Sequence, residues 1–76
     1  MTKATYKSMP NLLAQIEEFT HGSCRAEWIG STYSVYSYRT LIATFDRKTR
    51  IIYLDPTKYS MTTSRLQNII KKAWGL

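Results

Sequence analysis

Basic side chains gather around a short polar break between two apolar runs, and such a cluster can contact a polyanion. The break covers residues 46–49 (DRKT), with Arg47 and Lys48 inside it, Arg50 just after it and Arg39 on the preceding segment. A two-stranded ribbon with a basic tip fits the major groove of a nucleic-acid duplex. The cluster therefore predicts a nucleic-acid contact, although an ordinary solvated turn has the same polar composition.

Tyrosines form a second group of residues with a chemical use. Five of the six lie in the 27 residues from Tyr33 to Tyr59, interleaved with Ser, Thr and Arg. Because aromatic faces on a basic sheet can stack bases, at roughly 1–3 kcal/mol each, Tyr36 and Tyr38 are predicted to contact nucleic acid. The same composition also suits a protein interface, and Tyr equally fills a half-buried sheet with its hydroxyl in water.

Residues 59–65 (YSMTTSR) combine several hydroxyls with one arginine just before an apolar helical stripe. Ser64 and Gln67 have the spacing of a capping box, which starts a helix. A helix N-terminus also carries a partial positive charge and suits an anion. The segment is therefore either a cap alone or a cap beside an anion site. The residues predicted for the anion are Thr62, Thr63, Arg65 and Lys58.

Catalytic groupings are absent from the sequence. There is no Ser/His/Asp order, no Gly-rich phosphate loop and no metal-ligand cluster, since the chain has one His and one Cys. Glu17 and Glu18 are adjacent, and neighbours on a helix do not face each other. The sequence predicts a binding protein with no enzymatic activity, no catalytic residue, no metal and no cofactor.

Length and charge describe a small basic domain. The chain has 76 residues and a formal net charge of +6, from eleven Lys and Arg against five Asp and Glu. A chain of this length holds one domain. From residue 47 to the end there are seven basic residues and one acid. We expect the C-terminal half to meet nucleic acid or an acidic protein face, unless the charge serves solubility alone.

The apolar residues are too scattered for a membrane protein. No apolar run approaches the roughly 18 residues of a membrane-spanning helix, and the N-terminal segment MTKATYKSMPN has no apolar core like that of a signal peptide. The single cysteine, Cys24, cannot form an internal disulfide. We therefore expect a cytoplasmic protein with no membrane partner.

Two segments have helical periodicity. The first covers residues 8–22, where Pro10 suits the first turn, His21 lies in the last turn and Gly22 ends the helix. Its apolar stripe is Leu12, Leu13, Ile16 and Phe19. The second follows residues 62–65. Its stripe is Leu66, Ile69, Ile70, Ala73 and Trp74.

The segments between the two helices have the pattern of strands. Residues 24–29 alternate between apolar and polar, and Gly30 with Ser31 signals a turn. Residues 32–45 are rich in Tyr, Thr and Val but change phase, which predicts either a bulge near residues 37–39 or a bend into two strands. Residues 50–54 form the return strand of the basic hairpin.

These elements predict an α+β fold in the order α-β-β-β-α. A three- or four-stranded antiparallel sheet would carry an N-terminal and a C-terminal helix packed on one face. We place the domain at residues 9–76, preceded by a polar segment at residues 1–8. The other sheet face would be partly solvated, leaving its tyrosines and arginines available for contacts.

Two resemblances add to this interpretation. The blocks SYRTLIA (residues 37–43) and YSMTTSR (residues 59–65) resemble a pattern in small uncharacterised phage-encoded proteins, over roughly residues 33–70. This resemblance implies a phage or mobile-element origin, hence the host cytoplasm, and no activity. The element order is also similar to that of double-stranded-RNA-binding domains, which place a lysine-rich helix start on phosphates. Here the lysines Lys71 and Lys72 come later in the helix.

Two functional hypotheses follow, from different classes. The first is a nucleic-acid-binding module that uses the basic hairpin, the tyrosines and the start of the second helix. The alternative is a phage inhibitor that binds and blocks a host protein, such as a CRISPR-type defence nuclease. A homodimer through an exposed sheet edge or through the Trp74 end is a further structural possibility.

Overall fold

The computed structural model describes residues 2–57 and 59–76. Within them the chain forms six strands and two helices. Lys58, one of the predicted anion-binding residues, lies outside the described residues. The elements are β1 (Thr2–Lys3), α1 (Met9–Ala14), β2 (Phe19–His21), β3 (Cys24–Ile29), β4 (Thr32–Ser37), β5 (Thr40–Asp46), β6 (Ile52–Leu54) and α2 (Met61–Trp74).

All six strands belong to one sheet, in the order β1-β2-β3-β4-β5-β6. The strands β2 to β6 form an antiparallel meander, and β1 pairs in parallel with β2 at the edge. Two-residue turns join β2 to β3, β3 to β4 and β4 to β5. The sheet is therefore mixed, and local hairpins build all of it except its first strand.

The predicted three- or four-stranded antiparallel sheet with flanking helices is wrong. The fold is a six-stranded mixed sheet with two short helices, and it is mostly β. Residues 2–3, predicted as part of a polar segment ahead of the domain, add a parallel strand. Residues 19–21, predicted as the end of a helix, form β2, and residues 32–46 divide into two strands.

The first helix ends much earlier than the apolar stripe predicts. Ile16 adopts a left-handed conformation with φ of 50°. The Ile16 amide donates to the Leu13 carbonyl, and the Glu17 amide donates to the Leu12 carbonyl. This pair of bonds is the Schellman ending, which usually places Gly at the left-handed position. Because Ile occupies that position here, the sequence carries no stop signal, and His21 lies in β2 rather than in a helical turn.

A bulge accounts for the change of phase in the long segment. Val35 pairs with Ala43 and Tyr36 pairs with Leu41, so Ile42 is an extra residue on β5. A bulge lets residues of both registers face the same side of a sheet. As a result Ile42, Val35 and Ala43 are all fully buried in the core.

Three aromatic side chains hold the end of α1 against the sheet and α2. The indole N–H of Trp74 donates to the Leu13 carbonyl at 2.8 Å, and that of Trp28 donates to the Ile16 carbonyl at 3.0 Å. The Tyr33 hydroxyl donates to the Glu17 carbonyl at 2.6 Å. The bonds to Ile16 and Glu17 satisfy backbone acceptors beyond the end of the helix. Trp74 adds a second donor to the Leu13 carbonyl, which already accepts the Ile16 amide. Burial raises the pKa of the Tyr33 phenol well above its usual value.

The helix α2 begins at Met61, and the predicted capping box is not formed. Gln67 is buried, and its side-chain amide donates to the Asp55 carbonyl at 2.6 Å and the Thr57 carbonyl at 3.0 Å. The Asp55 carboxylate accepts the Thr57 amide at 2.9 Å and the Tyr59 hydroxyl at 2.5 Å. Gln67 therefore secures the loop between β6 and α2 instead of capping the helix.

Candidate functional site

Nine of the ten residues predicted for binding lie in the described part of the chain, and these nine do not share one surface. Arg39 stands at the start of β5, whereas Arg47, Lys48 and Arg50 lie in the loop that follows its end. Because β5 has seven residues at about 3.4 Å each, the two groups are separated by about 20 Å along the strand. The structure thus divides the predicted basic surface into two ends of the sheet.

One end of the sheet brings together two turns and the start of α2, and we call it the turn end. Gly22 and Ser23 form the β2–β3 turn, and Tyr38 with Arg39 forms the β4–β5 turn. The Tyr38 amide donates to the Ser23 carbonyl at 2.7 Å, which ties the two turns together. The start of α2 joins them through Thr63, whose hydroxyl shares a buried hydrogen bond of 2.8 Å with that of Ser37.

Three neighbouring depressions at the turn end share lining residues and form one track, the turn-end groove. The first, of about 510 Å³, includes Tyr6, Thr62 and Arg65 in its wall. The second, of about 250 Å³, shares Tyr6 and Thr62 with the first and Tyr38 with the third. The third, of about 730 Å³, is lined by Tyr38 and Arg39 among others. The groove therefore runs from the first turn of α2 to the β4–β5 turn.

The lining of the turn-end groove is basic. Arg25, Arg39 and Arg65 contribute to it, and none of its lining residues is acidic. Glu27 lies 3.7 Å from Arg25 in an exposed ion pair, which is worth little in water. A polyanion entering the groove would meet three guanidinium groups and no opposing carboxylate in the wall.

Two of these arginines are held against tyrosine rings. The Arg65 guanidinium lies 4.5 Å from the centroid of Tyr6, and that of Arg25 lies 4.8 Å from the centroid of Tyr36. Stacking of this kind restricts the side chain and leaves the N–H edges of the guanidinium available to an anion. A guanidinium edge can bind a phosphate through two parallel hydrogen bonds.

The middle of the groove contains His21 and Cys24. The carbonyl of Ala4 lies 2.8 Å from Nδ1 of His21, so a neutral ring donates from Nδ1. The Tyr6 ring packs edge-on against it with centroids 4.6 Å apart. Burial raises the pKa of the Cys24 thiol, which disfavours the thiolate.

The structure assigns different positions to the other predicted residues. Thr62 lines the groove, whereas Thr63 is buried and its hydroxyl is occupied by Ser37. Tyr36 lies on β4 beneath the Arg25 guanidinium. Of the nine predicted residues that the structure describes, four therefore line the groove: Tyr38, Arg39, Thr62 and Arg65.

The basic hairpin lies at the opposite end and has its own local order. The Asp46 carboxylate accepts the backbone amides of Lys48 at 2.8 Å and Thr49 at 3.0 Å. These bonds lower the pKa of Asp46. The Arg47 guanidinium lies 4.4 Å from the centroid of Trp28. Lys48 and Arg50 remain exposed on a well-defined turn.

Sequence reasoning missed three lining residues that the fold brings to the groove. Tyr6 belongs to the polar N-terminal segment, which carries no sequence signal for a site. Arg25 lies on an alternating strand, and the cross-strand pairing with Tyr36 is what positions it. His21 was predicted in the last turn of a helix, and only its place in β2 directs it toward Tyr6.

A family comparison places the chain among related proteins. Residues 5–73 match the model of a family of unknown function, DUF8033. The chain belongs to this family. The matched range includes Tyr6 and all three arginines of the groove. No curated protein and no solved structure matches the chain.

Residues 2–57 and 59–76 contain neither a membrane-spanning helix nor a cluster of metal ligands. No helix there is long and apolar enough to cross a membrane. No group of three or more His, Cys, Asp or Glu side chains in that part of the chain could hold a metal ion.

Proposed function

We propose that this domain binds nucleic acid in the turn-end groove. The observation that carries the proposal is the composition of the groove wall, with three arginines and no acidic residue. Arginine binds phosphate through a planar pair of N–H donors, and aromatic rings tolerate any base. The groove contains both kinds of residue, since Tyr6 and Tyr38 stand beside Arg65 and Arg39.

The number of arginines in the groove predicts how steeply binding should weaken with salt. If the three arginines each neutralise one phosphate of a single strand, the logarithm of the binding constant falls with a slope of about −2. Raising the salt from about 50 to about 200 mM then weakens binding about 20-fold. An interaction dominated by apolar contacts would change far less over the same range.

The deciding experiment compares two pairs of substitutions that remove the same charge. Arg39→Ala with Arg65→Ala removes two positive charges from the groove. Lys48→Ala with Arg50→Ala removes two from the hairpin end. We expect the first pair to weaken binding to a fluorescent oligonucleotide at least tenfold and to lower the salt slope, whereas the second pair changes it less than threefold. Equal losses of affinity from both pairs would show that binding responds to net charge, and would contradict binding in the groove.

One exposed side chain favours a second function, binding to a protein. Met61 is 90% exposed and lines the groove beside Arg65. Methionine and arginine are both enriched at protein interfaces. This observation supports a contact with a protein, and the alternative function is that of a phage or mobile-element inhibitor that occupies an acidic face of a host protein. Capture from nuclease-treated bacterial lysate separates the two, because an inhibitor retains its partner after nuclease treatment and a nucleic-acid binder does not.

A further inference from the structure

The three two-residue turns of the sheet share one backbone feature but differ in the residue that carries it. The first residue of each turn has a positive φ: 54° at Gly22, 60° at Gly30 and 58° at Tyr38. A positive φ at the first position alone is the pattern of the type II′ turn, which joins strands tightly and strongly favours Gly there. Two turns have the expected glycine, and the third has a tyrosine.

Tyr38 is therefore strained in a position where glycine would fit. A residue with a Cβ in the left-handed region is disfavoured, and such residues cluster at sites that use them. The Tyr38 side chain is 63% exposed. Packing in the core thus does not account for the choice of a large aromatic residue at this turn.

The location of Tyr38 connects this strain to the groove. Tyr38 lines both the middle depression and the largest one, of about 730 Å³, where it is followed in the chain by Arg39. Two hydrogen bonds hold the turn in place, because the Tyr38 amide donates to the Ser23 carbonyl and the hydroxyl of the preceding Ser37 bonds to that of Thr63. A rigid turn thus presents an exposed ring beside an arginine.

We infer that Tyr38 is a stacking platform for an unpaired base, so that the ligand of the turn-end groove is single-stranded nucleic acid. This inference rests on the proposed function and specifies its ligand class. The bases of a duplex are already stacked on each other and cannot lie against a side chain unless they leave the helix. A single strand has free base faces, and its phosphates are close enough to the bases for Arg39 to contact the adjacent one.

Three variants distinguish the contribution of the Tyr38 ring to binding from that of the turn backbone. Tyr38→Gly deletes the ring and keeps a turn residue suited to the backbone. Tyr38→Phe keeps the ring and deletes the hydroxyl. Gly30→Ala introduces strain into the equivalent turn between β3 and β4, where a new Cβ meets nothing within 4 Å, and leaves the ring intact.

The experiment measures the affinity of each variant for a fluorescent single strand of about 12 nucleotides and for the duplex of the same sequence. We expect the native domain to prefer the single strand. Tyr38→Gly should weaken single-strand binding by about 5- to 150-fold, the range of one base–aromatic stack. Tyr38→Phe and Gly30→Ala should stay within about threefold of the native affinity, since both keep the ring.

Each of the other outcomes contradicts either the stacking inference or the proposed function. Equal binding of single strand and duplex, or unchanged affinity in Tyr38→Gly, overturns the stacking inference and leaves nucleic-acid binding in place. Absence of binding to every nucleic acid at low salt overturns the proposed function and the inference together. Displacement of the strand by an acidic peptide, with no loss in Tyr38→Gly, assigns the groove to a protein partner instead.

Discussion

The strain at Tyr38 predicts that glycine at this position gives a more stable protein than alanine, the reverse of the usual order. Alanine normally stabilises a chain relative to glycine, because glycine gives the unfolded state more conformational freedom. At a positive φ the order reverses, since only alanine has a Cβ that the left-handed region disfavours. We therefore expect Tyr38→Gly to be more stable than Tyr38→Ala, although both delete the same ring.

The size of this difference follows from two opposing terms. The positive φ at this turn position costs a residue with a Cβ roughly 1–2 kcal/mol. The entropy of glycine in the unfolded state offsets about 0.4–1 kcal/mol of this. The free energy of unfolding should thus be higher for Tyr38→Gly than for Tyr38→Ala by about 0.8 kcal/mol. In a domain of this length the corresponding difference in Tm is about 3–6 °C.

The loss of the ring shifts both variants below the native protein. Tyr38 is 63% exposed, so about a third of a side chain that buries 150–250 Å² at most is removed from water, or roughly 50–90 Å². At about 25 cal/mol per Å² this burial contributes roughly 1–2 kcal/mol. Tyr38→Gly recovers part of this loss through relief of strain, and Tyr38→Ala does not.

Urea unfolding followed by tryptophan fluorescence measures these differences, because Trp28 and Trp74 both pack against the core. Gly30→Ala provides the matched control, since it exchanges the same two residues at an equivalent turn with φ of 60°. It should lower the free energy of unfolding by the same 0.8 kcal/mol or so. If Tyr38→Ala proves as stable as Tyr38→Gly while Gly30→Ala is destabilising, then Tyr38 is unstrained and the reasoning fails.

Three further predictions concern the loop, the helices and the assembly. The hydrogen bond from Tyr59 lowers the pKa of Asp55, and the same bond raises the pKa of Tyr59. Stability from this bond should therefore fall as the pH drops below about 3.8 and again as it rises above about 10, and a Tyr59→Phe variant, compared with the native protein in urea titrations across pH, should lose less at both extremes. Trp74→Phe removes one of two donors to the Leu13 carbonyl, which keeps its bond from the Ile16 amide, so the free energy of unfolding should decrease by about 0.5–1.5 kcal/mol; no measurable decrease would show that water replaces the indole. The predicted homodimer implies a mass of twice 8.9 kDa in light scattering, whereas a mass of one chain over the micromolar range would exclude it.

Several elements follow from local patterns in the sequence. Residues 24–29 alternate and form β3, and Gly30 begins the turn after them. The apolar stripe from Leu66 to Trp74 forms the buried side of α2, since periodicity of 3.6 residues reports which side of a helix is covered. These features are local, so neighbouring residues are enough to predict them.

The elements that were wrongly predicted depend on contacts between distant parts of the chain. The ending of α1 requires Ile16 in a left-handed conformation, which its own side chain disfavours. Trp28, Tyr33 and Trp74 compensate by donating to carbonyls around this ending. Phe19 then continues into a strand, although its spacing from Leu12 and Ile16 matches a helix. Tertiary hydrogen bonds therefore decide whether this segment continues as a helix or turns into a strand.

The candidate site also has features that the sequence predicts and features that depend on tertiary contacts. The sequence by itself determined that the chain is small, basic and rich in tyrosine, and Tyr38, Arg39, Thr62 and Arg65 are among the residues that it predicts for binding. Only the tertiary structure decided that these four line one groove and that the hairpin arginines lie at the other end. The reason is that side-chain type is a property of one residue, whereas the distance between two turns depends on the pairing of every strand between them.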